Sequence, residues 1–192
     1  MGKIIISENV TLDGVIQDPT GDDGFKLGGW FNRMQDGDRE AWAQVEYEEA
    51  LRAEALLLGR RSDEYFGTRW SSASGEWADR LNSLPKYVVS STLREPLWTN
   101  VTVLDGDVVT EVSALKKKID GEIIVYASGQ LVHTLLERKL VDELRLVVFP
   151  VALGAGRRLF EQTTGAIPMR LTGTRPIGAG LVYLTYQIMP NV

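Results

Sequence analysis

The chain has 192 residues, a formal net charge of −5 and no cysteine. This length favours one domain with a sizeable core, and we predict a single domain over residues 1–192. The lack of cysteine excludes disulfides, thiolate metal sites and thiol nucleophiles. One histidine, His133, cannot build a multi-histidine zinc site, so we predict no bound metal.

The excess of acidic over basic residues also limits the kinds of binding partner that we expect. Nucleic-acid surfaces need clustered Lys and Arg, and the net charge argues against such a surface. The N-terminal apolar run, residues 4–6, is too short for a signal peptide, and no apolar run approaches the ~20 residues of a membrane span. We therefore expect a cytoplasmic protein that binds a small molecule and neither nucleic acid nor a membrane.

Apolar periodicity and turn residues predict strands that alternate with helices until about residue 160, followed by two strands with no helix between them. This order predicts an α/β fold with a mixed, mostly parallel eight-stranded sheet, helices on both faces and a C-terminal antiparallel hairpin. The predicted strands cover residues 3–7, 55–58, 86–89, 101–104, 122–126, 144–149, 169–174 and 181–189.

Two segments of the first half have a less regular pattern. Residues 18–29 form a long loop rich in glycine and aspartate, and loops of this length are usually functional or mobile. Trp30 and Phe31 close it, either as a lid over a ligand or as anchors of the core. The helix predicted over residues 39–53 carries one apolar side, formed by Ala43, Tyr47, Ala50 and Leu51.

Three predicted strands end in residues that suit phosphate. Arginine binds phosphate bidentately, and serine hydroxyls with the free N–H groups at a helix start complete such a site. Each feature also has an ordinary explanation. Arginines are common on protein surfaces, and serine and aspartate often cap helices. Ser128 would cap the helix that follows it, and Ser62 or Asp63 would cap the helix after residues 55–58. Strand ends of a parallel sheet share one edge, so together they predict a nucleotide with an additional phosphate. The segments are Gly59-Arg60-Arg61-Ser62, Ser90-Ser91-Thr92 and Ala127-Ser128-Gly129-Gln130.

Common nucleotide and hydrolase motifs are absent from the sequence. There is no G-x-G-x-x-G after the first strand, no G-x-x-x-x-G-K-[ST] and no G-x-S-x-G. Gly154 and Gly156 lack the rest of either phosphate motif, and they predict a tight turn.

Five stretches carry a family resemblance: TLDG, LLLGRRSDEYF, KYVVSST, YASGQLVHTLLE and LVDELRLVVFPVALGAGRRLF. Together they resemble the dihydrofolate reductase-like superfamily over residues 3–188. The most similar branch is the C-terminal reductase domain of the bacterial riboflavin-biosynthesis deaminase-reductase and its stand-alone relatives. The deaminase half with its zinc ligands has no counterpart here, so we expect a stand-alone relative.

The resemblance implies an NADPH site at the three strand ends. It also implies that the Asp13-Gly14 turn borders the nicotinamide and the substrate, next to the region of Trp30. The implied cofactor-binding residues are Gly59, Arg60 and Arg61 beside the adenosine phosphates, Ser90, Ser91 and Thr92 beside the 2′-phosphate, and Ser128, Gly129, Gln130 and Leu131 beside the pyrophosphate.

Two positions depart from the family pattern. Relatives usually carry glycine where Ala127 stands, in a tightly bent turn under the cofactor. The catalytic carboxylate of dihydrofolate reductases has no assigned counterpart. Asp38, Glu40 and Glu48 lie in the right region, but we interpret them as solvated acids on a helix surface.

The sequence therefore favours an NADPH-dependent reductase that transfers a hydride to a small heteroaromatic or carbonyl substrate. Two alternatives remain open: a non-catalytic, dimeric protein that binds a nucleotide or flavin phosphate, and an enzyme acting on another phosphorylated compound. A homodimer is expected because relatives of the family pair through their sheets.

Overall fold

A computed structural model of the chain describes residues 1–161 and 163–190. Within them the chain forms eight strands and five α-helices, with a short 3-10 turn at Phe31–Arg33. The strands are β1 (Lys3–Thr11), β2 (Ala53–Gly59), β3 (Lys86–Val89), β4 (Val101–Leu104), β5 (Glu122–Tyr126), β6 (Glu143–Phe149), β7 (Met169–Ile177) and β8 (Leu181–Ile188). The helices are α1 (Asp36–Arg52), α2 (Arg60–Trp70), α3 (Glu76–Ser83), α4 (Val108–Lys118) and α5 (Gly129–Glu137).

The strands form one mixed sheet in the order β4-β3-β2-β5-β1-β6-β8-β7. The pairs β2–β3, β2–β5 and β3–β4 are parallel, whereas β6–β8 and β7–β8 are antiparallel. The predicted fold class, including the C-terminal hairpin, is therefore confirmed. None of the helices in the described ranges has the length and apolar character that a bilayer crossing requires.

Backbone packing groups the chain into two compact units. Unit 1 comprises Met1–Ile6 and Tyr47–Asp142, and unit 2 comprises Ser7–Glu46 and Glu143–Val192. Each unit has its own apolar cluster. In unit 1 residues of β2, β3 and β5 pack against α3. In unit 2 the cluster surrounds Trp30. The assignment of residues 1–192 to a single domain stays a prediction.

Two helix predictions are wrong in detail. Leu51 is 52% exposed, because α1 buries a stripe that includes Glu49 beside Ala50. Helix α2 begins at Arg60 with Gly59 in the N-cap position, so neither of the predicted caps, Ser62 and Asp63, occupies that place. Because no loop separates β2 from α2, the helix begins two residues before the first predicted cap.

Candidate functional site

The three predicted phosphate-binding segments lie at one edge of the sheet in unit 1. Strands β2, β3 and β5 are consecutive parallel neighbours around β2, so their carboxyl ends point the same way. Gly59 ends β2, Ser90 follows β3, and Ala127 follows β5. The edge predicted from the sequence is therefore present.

The Ser128 hydroxyl connects the end of β5 to the junction of β2 with α2. Its Oγ accepts a hydrogen bond from the Gly59 amide at 3.0 Å and lies 2.8 Å from the Ser62 Oγ and 3.0 Å from the Tyr126 carbonyl oxygen. Although Ser128 occupies the N-cap position of α5, its side chain makes no capping bond there. The ordinary capping explanation therefore does not account for this hydroxyl.

The turn before α5 is bent as the resemblance implied. Ala127 has φ +49° and Ser128 has φ +63°, both in the left-handed region. A residue with a Cβ adopts this region at a cost of about 1–2 kcal/mol, which glycine avoids. The chain therefore carries strain at the two residues that precede Gly129, Gln130 and Leu131, the first turn of α5.

The two arginines of α2 differ in their surroundings. The Arg60 Nε lies 3.8 Å from Glu64 Oε1, an ion pair one helical turn apart at the surface. Arg61 is exposed and forms no ion pair among the described residues. A phosphate-binding role for either arginine stays a prediction.

Ser90 is used by its own turn. Its Oγ accepts hydrogen bonds from the Leu93 amide at 3.0 Å and the Thr92 amide at 3.3 Å. Ser91 and Thr92 are exposed beside it. A 2′-phosphate role for these residues stays a prediction.

In unit 2, the predicted Asp13-Gly14 turn follows β1. The Gly14 amide donates to the Thr11 carbonyl oxygen at 2.9 Å, and Gly14 has φ +82°, a conformation suited to glycine. The Thr11 hydroxyl donates to Asp13 Oδ1 at 2.7 Å. These bonds define the turn that the sequence predicted.

The Asp13 carboxylate also holds the glycine loop after β6. It accepts hydrogen bonds from the Leu153 amide at 3.1 Å and the Gly154 amide at 2.7 Å, and Arg158 Nη2 lies 3.6 Å away. The Thr11 hydroxyl and these amides lower the pKa of Asp13 to about 2. Asp13 therefore positions two loops of unit 2, and the tight turn predicted at Gly154 has φ +75°.

The long loop after residue 17 is organised around a buried acid. Asp18 is only 4% exposed, and its carboxylate accepts hydrogen bonds from the Asp23 amide at 3.1 Å and the Phe25 amide at 2.9 Å. Its carbonyl oxygen accepts from the amides of Gly21 and Gly29. The glycine- and aspartate-rich composition therefore encodes a defined set of turns around one carboxylate.

Trp30 serves as an anchor of the core. It is 1% exposed, its ring packs edge-on against Phe149 with 5.0 Å between centroids, and its Nε1 donates to the Gln17 carbonyl oxygen at 3.0 Å. Of the two interpretations of this residue, the structure supports the anchor. One side of Trp30 nevertheless lines a cavity, so a role in substrate binding stays a prediction.

That cavity has a volume of about 350 Å³ and lies wholly in unit 2. Asp38 lines it and is only 6% exposed, so its interpretation as a solvated surface acid is wrong. Its Oδ1 accepts hydrogen bonds from the Ala179 amide at 2.6 Å and the Gly180 amide at 3.2 Å. The turn between β7 and β8 covers this first turn of α1, a contact between residues 141 apart in sequence. Glu40 is exposed, as expected.

A second buried acid was missed by the sequence reasoning. Glu8 on β1 is 9% exposed, and its Oε1 has no hydrogen-bond partner within residues 1–161 and 163–190. Burial first, and then the charge of the buried Glu46 on α1, raise the pKa of Glu8 well above its ordinary value. The available signal was a charged residue two positions after the apolar run of β1, within the same strand.

Comparison with known proteins supports a dihydrofolate reductase-like fold. A protein of Shewanella sp. PV-4, whose name refers to riboflavin biosynthesis, superposes with a TM-score of 0.71 at 22% identity, covering 98% of this chain and 99% of its own. Dihydrofolate reductase from Enterococcus faecalis, in complex with NADP(H), superposes with a TM-score of 0.63 at 15% identity, covering 98% and 97%. At these identities the likeness concerns the fold.

Residues 2–183 match the RibD C-terminal domain family, and the chain belongs to this family, which is of reductase type. The protein YyaP of Bacillus subtilis (strain 168) is 28% identical over 191 residues, which cover 96% of this chain and 94% of that protein. The resemblance read from the sequence is thereby confirmed.

Proposed function

We propose that the protein is an NADPH-dependent reductase that transfers a hydride to a small heteroaromatic or carbonyl substrate. The hydride would pass from the nicotinamide to a carbon of a C=N or C=O bond, and a proton would go to the nitrogen or oxygen. The observation that carries the proposal is the Ser128 link to Gly59, which joins two neighbouring strand ends beside an exposed, unpaired Arg61.

The geometry of unit 1 suits a dinucleotide with a further phosphate. The uncapped start of α5 offers N–H groups and a positive dipole end, which favour a pyrophosphate. A guanidinium such as that of Arg61 favours a 2′-phosphate, which distinguishes NADPH from NADH. Family membership and the NADP(H) complex of the Enterococcus faecalis enzyme support the same cofactor.

Unit 2 supplies the residues that we propose for the substrate, namely Asp13, Gly14 and Trp30. Since the Asp13 carboxylate already binds the Leu153 and Gly154 amides, its contribution is to position these loops. Trp30 contributes a large apolar surface at the wall of the cavity.

The test is titration of the protein with NADPH and NADH, followed by energy transfer from tryptophan to the reduced nicotinamide. We expect selective binding of NADPH. Arg61→Ala should weaken NADPH binding roughly ten- to hundredfold, the loss expected for a hydrogen bond to a charged group, and leave NADH binding nearly unchanged. Arg69→Ala is the matched control, because Arg69 lies at the other end of α2 and stacks on Tyr65. Equal losses for both cofactors would contradict the 2′-phosphate assignment.

The strained turn at Ala127 and Ser128 favours a second candidate, a non-catalytic, dimeric protein that binds a nucleotide or flavin phosphate. Such a protein would bind its ligand without oxidising NADPH in the presence of a panel of heteroaromatic and carbonyl compounds. A co-purified flavin would be recognised by its visible absorption. Light scattering would test the homodimer that we propose for either function.

A further inference from the structure

The loop between β3 and β4, residues 90–100, is bound to α2 by a buried carboxylate. Asp63 lies in the first turn of α2 and is fully buried, and its Oδ2 accepts a hydrogen bond from the Leu97 amide at 3.1 Å. Burial raises the pKa of Asp63, and the Leu97 and Trp98 amides partly offset this rise. The carboxylate therefore connects the start of α2 to the Leu97–Trp98 segment of the loop.

Helix α2 and this segment also meet one turn further along the helix, at Gly67. A Cβ at Gly67 would lie 2.9 Å from the Leu97 carbonyl carbon and 2.9 Å from the Trp98 amide nitrogen, closer than side chains approach a backbone. Gly67 is buried within α2, although only proline is a weaker helix former than glycine. The close approach of the loop explains why the helix carries glycine at this position.

The same segment is held from β3 and α3. Lys86 on β3 is fully buried, and its Nζ lies 4.5 Å from the centroid of the Trp98 ring. The Trp98 indole nitrogen donates to Asn82 Oδ1 at 2.6 Å. Burial lowers the pKa of Lys86 to about 8, and the charge of Asp63 opposes this shift. Bonds to α2 and α3 and the contact with β3 thus fix the position of the segment.

We propose that Asp63 is a positioning residue that holds the β3–β4 loop against α2 and thereby sets the spacing between Arg61 and the exposed Ser91 and Thr92. A 2′-phosphate is bound well only if the guanidinium and the hydroxyls reach it together. Because Asp63 is fully buried, it acts through the two segments that it joins. The inference rests on the proposed NADPH site and adds a residue that determines its selectivity for the 2′-phosphate.

The test compares two probes that differ only in the 2′-phosphate, adenosine 2′,5′-bisphosphate and adenosine 5′-monophosphate. Calorimetry gives the ratio of their dissociation constants for the native chain and for Asp63→Ala. We expect the native chain to prefer the bisphosphate, and Asp63→Ala should reduce this preference roughly tenfold, the loss expected when a hydrogen bond to a charged group is misplaced. An unchanged preference in Asp63→Ala would overturn the proposal.

Asp63→Asn separates positioning from stability. Its amide oxygen can still accept from the loop amides, whereas the negative charge beside Lys86 is lost. This variant should therefore unfold at lower urea concentration than the native chain and yet keep the preference for the bisphosphate. Leu115→Ala, which removes a buried apolar side chain of α4, is the control for lost stability and should also keep it. A preference that falls with stability in all of these variants would mean that Asp63 serves only the fold.

Gly67→Ala reaches the same segment with Asp63 intact, and it is the second variant should Asp63→Ala not fold. Alanine favours the helix, but its Cβ must displace the Leu97–Trp98 backbone. The preference for the bisphosphate should fall as in Asp63→Ala, whereas Thr68→Ala, at the exposed neighbouring position, should leave it unchanged. A native preference in Gly67→Ala would contradict the coupling.

The ¹H–¹⁵N signals of the Ser91 and Thr92 amides test the coupling without any ligand. Asp63→Ala and Gly67→Ala should shift these signals, and Asp63→Asn should leave them near their native positions. Unchanged signals in the first two variants would overturn the proposal. Equal binding of both nucleotides by the native chain would instead contradict the proposed NADPH site, so the two failures are distinguishable.

Discussion

The two units place their candidate binding residues in different surroundings. In unit 1 the candidate binding groups, such as Arg61, Ser91 and Thr92, are exposed at the ends of parallel strands. In unit 2 the candidate groups take part in the core or in loop contacts, because Trp30 is buried and the Asp13 carboxylate accepts hydrogen bonds from two backbone amides. We therefore expect substitution of the candidate residues to affect stability little in unit 1 and strongly in unit 2.

The physical reason lies in the backbone. A parallel strand end followed by a helix presents N–H groups to a ligand without further support. The loops of unit 2 have no such regular bonding, so their amides must be satisfied by side chains, and Asp13 and Asp18 do so. Substitutions should therefore affect the two units unequally.

The largest effect is expected for Trp30→Ala. Removing a fully buried tryptophan that packs on Phe149 should lower the free energy of unfolding by about 3–5 kcal/mol. Urea denaturation followed by circular dichroism measures this loss. Leu51→Ala is the control, because its side chain is exposed and its removal should change stability by about 0.5 kcal/mol or less. A comparable loss in both variants would contradict the assignment of Trp30 as an anchor.

A smaller, pH-dependent effect is expected for Glu8→Gln. The folded pKa of Glu8 lies above its ordinary value of 4.5, chiefly through burial and further through Glu46. Its contribution to stability is therefore complete below pH 4.5 and is lost as the pH rises, because the unfolded chain ionises first. Glu8→Gln should become more stable relative to the native chain between pH 4.5 and 7 in urea titrations. A pH-independent difference would show that Glu8 ionises normally, and Glu40→Gln, exposed on α1, should show no such trend.

Two glycine substitutions in the strained turn of unit 1 should change stability in opposite directions. Ala127→Gly relieves the left-handed conformation and should raise the free energy of unfolding by about 0.5–1 kcal/mol after the entropy cost of glycine. Ser128→Gly relieves the same strain but removes the hydroxyl that binds the Gly59 amide, so it should destabilise. Thermal unfolding of both variants measures the contrast, and stabilisation by both would mean that the Ser128 link contributes nothing.

The smallest effect on stability is expected for Arg61→Ala. An exposed arginine without an ion pair should contribute about 0.5 kcal/mol or less to the free energy of unfolding. Urea denaturation of Arg61→Ala measures this contribution, for comparison with the loss expected for Trp30→Ala in unit 2. A large loss of stability would show that the strand-end residues of unit 1 also hold the fold.

Much of unit 1 was predictable from local patterns. The predicted bounds of β3, β4 and β5 coincide with the observed strands, because short β-branched runs between turn residues have few alternative conformations. The shared edge of the three segments follows from their parallel pairing. The functional roles of these residues stay predictions until cofactor binding is measured.

Unit 2 was less predictable because its key contacts join distant parts of the chain. The sequence pattern predicts a surface acid at Asp38, whereas in the structure the turn between β7 and β8 lies over this side chain. Glu8 and Glu46 likewise come together from a strand and a helix, and neither residue alone indicates a pair of acids.

The sequence by itself determined the alternation of strands and helices and the family, because these depend on short stretches of neighbouring residues. Only the tertiary structure decided which acids are buried and which side chain anchors the core. Burial depends on what packs against a residue from elsewhere in the chain, and local periodicity carries no information about the β7–β8 turn that covers Asp38.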